Sequence, residues 1–145
     1  MYFIKQFLIA FIGTIGFSIL FNIPKDSVAK SGIIGALGWI TYVVFNDVLS
    51  SSVAGVFLGA IVVGLSGELF ARFFRKPATV FIIPGIIPLV PGSKSYYSML
   101  AFIEKRYTEA ADLASETMFI ALSIASGIII AASVNKIFKK KKVIK

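Results

Sequence analysis

The stretch Ala78–Tyr97, ATVFIIPGIIPLVPGSKSYY, decides how the rest of the chain folds. It is an apolar segment with Pro84, Gly85, Pro88, Pro91 and Gly92 at its centre. Proline has no amide donor and clashes with the carbonyl four residues back, and glycine tolerates unusual backbone angles, so no regular helix is expected to persist here. At membrane depth, backbone groups freed in this way survive only where protein or a water-filled cavity satisfies them. The stretch is therefore a candidate site as well as a break.

Thr79–Val90 is about a dozen residues, the length of a re-entrant or interrupted segment rather than a full span. With Ser93–Ile103 added, it suffices for one discontinuous span whose only charge is Lys94. Ser93 and Ser95 suit the start of a second half-helix as caps. The positive end of that half-helix, with Lys94 beside it, is an arrangement suited to a carboxylate. Tyr96 and Tyr97 add hydroxyls, and a surface loop with a solvated Lys94 is the plainer alternative.

Composition makes the rest of the chain membrane-embedded. Of 145 residues 57% are hydrophobic and 15% charged, and mean hydropathy is +0.89, too apolar for an ordinary soluble domain. Cysteine and histidine are absent, which removes disulfides, thiol nucleophiles, imidazole metal ligands and the commonest general base. No cofactor, metal or enzymatic activity is expected. The net charge of +8 resides at the ends of apolar runs and in the tail, where cytoplasmic anchoring explains it, and there is no nucleic-acid surface of basic and aromatic residues.

The expected architecture is an all-α integral membrane protein of about five transmembrane helices, the fourth discontinuous or re-entrant. Spans are placed at about 3–21, 31–45, 53–71, 78–103 (broken at 84–92) and 113–135, forming a single transmembrane domain, with a basic tail at 136–145. The first run, roughly 28 Å as helix, can cross hydrocarbon, and its length and lack of a cleavage signal favour a retained span over a signal peptide. Pro24 ends it, and Lys25, Asp26 and Lys30 form a polar loop.

The second run carries Gly32, Gly35 and Gly38, expected along one ridge for close helix approach, with Tyr42 toward the outer interface. The third has Gly55 and Gly59 in a GxxxG spacing and ends in Glu68, Arg72, Arg75 and Lys76. Glu68 is a candidate for proton coupling, and an ion pair with Arg72 four residues on is the plainer account. Glu109, Asp112 and Glu116 sit early in the last helix, where acids favour the positive end. Ser123, Gly127 and Ala131 form a small-residue stripe for packing. With the tail inside, eleven of the fifteen basic residues fall on the cytoplasmic side, predicting N-out and C-in. The tail is also suited to anionic lipid headgroups.

These features resemble the threonine/serine exporter family: Asn22-Ile23-Pro24 after the first span, a glycine-rich second span, ARFFRKPA (71–78) closing the third, and VFIIPGIIPLVPGSKSYYSM (80–99). The resemblance covers nearly the whole chain and is most specific in PGIIPLVPG followed by Tyr96. It implies a secondary exporter of small amino acids or dicarboxylates in the bacterial plasma membrane, driven by the proton gradient. At this length the chain resembles the separate short subunit, which works with a larger membrane subunit of the same family. A homo-oligomer is the fallback. Substrate contacts are expected at Pro84, Gly85, Pro88, Pro91, Gly92, Ser93, Lys94, Ser95 and Tyr96, with a small anionic or zwitterionic substrate. A non-transporting membrane scaffold, its glycines serving only helix packing, is the rival reading.

Overall fold

The computed structural model describes residues 1–143, with side chains to Lys136; of the basic tail expected at 136–145, residues 137–143 are described as backbone only, and 144–145 lie outside the described residues. Among these residues every regular element is helical: α1 (Tyr2–Leu20), α2 (Lys25–Leu49), α3 (Ser52–Phe74), α4 (Thr79–Gly85), a 3₁₀ turn at Ile87–Leu89, α5 (Gly92–Ile103) and α6 (Tyr107–Val143). α1, α2, α3 and the Tyr107–Lys136 part of α6 are long and apolar enough to cross a membrane. The polar loop expected at Lys25–Lys30 is the beginning of α2 instead, behind Pro24 at the N-cap. Proline there has a preset φ and no amide to leave unpaired.

Three helices end in the same way. After α1, α3 and α5 the chain turns through a non-glycine residue with positive φ, namely Asn22, Arg75 and Lys105. Each is followed by an amide reaching five residues back: Ile23 to Ser18 (3.0 Å), Lys76 to Ala71 (2.9 Å) and Arg106 to Ala101 (2.8 Å). These Schellman-type closures satisfy carbonyls that a helix end would leave open. No glycine among the described residues has positive φ, and all but Gly13, Gly16 and Gly92 sit where a Cβ would meet a close neighbour, so most of them serve packing.

That packing runs through α3. A Cβ on Gly59 would stand 2.8 Å from the carbonyl oxygen of Gly38, which places α2 and α3 in backbone contact. On another face of α3, a Cβ on Gly127 would meet Ala60 Cβ at 2.8 Å and Phe57 O at 2.9 Å, so α6 lies equally close. The glycines of α2 do not form one ridge: Gly32 faces Phe11 and Gly35 faces Thr14 of α1, whereas Gly38 faces α3. At 3.6 residues per turn, steps of three rotate backwards by about 60° each, which carries the row from one neighbour to the next.

The proline-rich segment threads between these helices. Phe81 is fully buried, its ring 6.0 Å from Phe70 and 6.4 Å from Phe74. Helix α4 continues through Pro84 to Gly85, further than expected. The carbonyl that Pro84 cannot bond, Val80 O, accepts instead from Ser31 Oγ of α2 at 3.1 Å. A neighbouring hydroxyl thus meets the need created by the proline. The irregular part narrows to Ile86–Pro91, with Val90 extended.

Contacts fix the direction of travel. Val80 meets Ser31, Gly85 packs against Ile34, Leu89 lies by Gly38, and Pro91 shares a cavity with Tyr42. From Ser31 to Tyr42 along α2 is roughly 16 Å. The segment proceeds from the end of the bundle where α3 stops toward the end where α2 stops.

Candidate functional site

Where the segment reaches that far end it borders a cavity of about 210 Å³, lined by Trp39 and Tyr42 of α2, Val56 of α3, Pro88–Pro91, Ser93 and Lys94 of α5, and Ile120 of α6. Five structural pieces therefore meet there. The volume is below the roughly 300–1,000 Å³ typical of pockets for drug-sized ligands, and suits a small metabolite. Pro88 and Trp39 also border a second cavity, of about 270 Å³, whose other walls are Ile9, Ala10, Gly13, Phe17 and Ile87. The indole of Trp39 is fixed between the two by a 2.9 Å hydrogen bond from Nε1 to Gln6 Oε1 and by Tyr42, 5.0 Å away between ring centres.

Of the residues expected to form the site, Pro88, Pro91, Ser93 and Lys94 line the first cavity. Pro84 and Gly85 are buried below it, and Gly85 packs against Ile34 and Val63. Gly92, Ser95 and Tyr96 are exposed, and Tyr96 packs edge to face on Tyr97 at 5.4 Å. The expected serine caps are absent. Pro91 occupies the N-cap position without a side-chain cap bond, and Ser95 Oγ donates back to Pro91 O at 3.1 Å. The first amides of a helix have no partner within it. In α5 the Gly92 amide donates to Val90 O at 2.8 Å, and those of Ser93 and Lys94 remain without a backbone partner among the described residues.

Lys94 is not a lone cation. Its Nζ pairs with the Glu116 carboxylate of α6, and the two side chains retain 32% and 42% of their exposure. A pair this exposed contributes about 1 kcal/mol or less, so a competing ligand can open it. Glu116 was legible only as a helix-end acid. It joins the site because α5 folds back on α6, where Ser98 Oγ also donates to Ala110 O at 2.9 Å. Tyr42, expected toward the outer interface, is a cavity wall, as is Trp39, and Trp39, Val56 and Ile120 carried no distinguishing signal.

Glu68 lies at the opposite end of the bundle and makes no ion pair with Arg72 among the described residues. Both are engaged by Asn135 of α6: its Nδ2 donates to Glu68 Oε2 at 2.9 Å, and its carbonyl accepts from Arg72 Nη2 at 2.9 Å. At the same end, Lys76 pairs with Asp26 and donates to Ser27 Oγ at 3.0 Å. Among the described residues no group of three or more acidic side chains is arranged to hold a metal ion.

Residues 6–134 match the family described as Threonine/Serine exporter, ThrE. An uncharacterized protein of Haemophilus influenzae is 27% identical over 126 residues, which cover 85% of this chain and 42% of that protein. The chain thus spans less than half the length of that relative. No solved structure matches it.

Proposed function

The chain belongs to the threonine/serine exporter family, and on that premise we propose that it is one membrane subunit of a secondary exporter whose substrate occupies the cavity behind Pro91. The observation that carries this is the broken segment itself, which brings Ser93, Lys94 and the open start of α5 to a small cavity among α2, α3 and α6. Discontinuous helices whose half-helix starts face an anionic group are a recurrent transporter device. Small amino acids of the threonine and serine type fit the cavity, and dicarboxylates are the second substrate class.

The chain crosses the bilayer five times, through α1, α2, α3, the α4–α5 segment and α6, with N-out and C-in. The direction of the broken segment along α2 supports a crossing. The end bearing Lys30, Arg72, Arg75 and Lys76 is the basic one, which favours the cytoplasm of a bacterial plasma membrane. α6 has 37 residues, about 55 Å of helix against roughly 30 Å of hydrocarbon, so its first turns and α5 form a hairpin at the outer face. A larger subunit supplies the remaining membrane half. The greater length of the Haemophilus relative supports this. Glu68, near the cytoplasmic end of α3, carries the coupling proton in this scheme.

Lys94→Gln tests the site. With the partner half coexpressed, threonine and serine efflux is expected to fall by about tenfold, the consequence of losing one charge-assisted contact. Unchanged efflux of every substrate removes Lys94 from the pathway.

A further inference from the structure

Lys94 and Glu116 carry a consequence for which molecules the cavity accepts. They hold opposite charges on two different helices, Lys94 lines the cavity while Glu116 pairs with it from outside the lining, and each keeps about a third or more of its surface free. Of the other charges on this hairpin, Glu104, Arg106 and Glu109 are engaged with one another, whereas Lys105 and Asp112 make no ion pair among the described residues. Arg106 is held by Glu104, to which its Nε donates at 2.9 Å, and by Glu109, and these bonds push its pKa further up. Asp112 lies one turn from Glu116 on α6 and is exposed. Lys94 at the cavity edge is thus neutralised, when no ligand is present, by the Glu116 carboxylate paired with it from α6.

We propose that this pair is a receptor for a zwitterion, in which the ligand carboxylate replaces Glu116 on Lys94 Nζ while the ligand ammonium takes the Glu116 carboxylate released. Each charge of the pair is then exchanged for an equivalent one, and neither is left without a partner. The same arrangement selects against other small metabolites. A dicarboxylate finds one cation and is repelled by Glu116, and a simple amine finds one anion and is repelled by Lys94. Glu116 becomes a specificity-determining residue that the broken segment alone does not reveal. The inference rests on the transport reading of this cavity and goes further by assigning Glu116 as the partner of the substrate ammonium.

The test uses the exporter complex, with ligand-induced thermal stabilisation and inhibition of L-serine flux in proteoliposomes as parallel readouts. The probes are L-threonine, N-acetyl-L-serine as an anion and L-serinamide as a cation. The wild type is expected to favour threonine over both charged analogues by about tenfold. Glu116→Gln closes the gap for N-acetylserine and leaves that for serinamide, and Lys94→Gln does the reverse. Both substitutions keep a hydrogen bond between α5 and α6, so the hairpin is retained. If either variant weakens all three probes equally, or keeps the wild-type ranking, the receptor role is overturned and the pair is a structural clasp. If the wild type neither binds nor moves threonine or serine, the transport reading fails with it.

Discussion

Phe81→Ala is expected to destabilise the bundle by about 2–3 kcal/mol, measured as a shift of the unfolding midpoint in mixed micelles. Phe81 is fully buried against Phe70 and Phe74 and is the largest of the completely enclosed side chains. In water-soluble proteins, removing such a ring costs about 3–5 kcal/mol, combining lost transfer energy with a cavity term. Lipid offers little transfer energy between helices, so the packing share dominates here and the figure is reduced. The effect reaches function because α4 holds the lower end of the segment that lines the cavity. Without Phe81 the helix loses its anchor to α3, and efflux falls together with stability.

Gly59→Val is expected to cost about 3 kcal/mol and to lower the yield of folded protein in the membrane. A Cβ at this position stands 2.8 Å from Gly38 O, and a carbonyl of the facing helix cannot step aside as a side chain can. Leu89 methyls lie 3.3 and 3.4 Å from the same point, so separating α2 from α3 also shifts the wall of the cavity. Gly92→Ala is the control: a Cβ there meets nothing within 4 Å, and stability is expected to stay within about 0.5 kcal/mol. Destabilisation by both substitutions of similar size would show that backbone freedom, not close approach, is what these glycines supply.

Length and hydropathy made the long helices legible, because a run such as Phe3–Phe21 has few alternatives in a chain this apolar. The break was legible too, since consecutive prolines and glycines limit a helix whatever surrounds them. Its limits were not. Pro84 stays helical because Ser31, 49 positions away in sequence, satisfies Val80 O, and no local pattern contains that information. Local spacing also misplaced partners. Glu68 and Arg72 stand four residues apart, yet both are satisfied by Asn135 of α6. Lys94 was legible as the only charge of its segment, whereas its pairing with Glu116 depends on how tightly α5 turns into α6. The turn uses Lys105 at positive φ, a conformation that favours glycine or asparagine in sequence patterns.

In the proposed arrangement the broken segment crosses the bilayer and presents Ser93 and Lys94 to substrate from the outer side. The chain has no cysteine, so a single Ser93→Cys variant reports directly. The measurement is its rate of alkylation in intact cells by a membrane-impermeant maleimide, with and without external threonine. Labelling from outside that threonine slows is the expected result. Labelling only after the cytoplasmic face is opened, or an outside rate indifferent to threonine and serine, would contradict it.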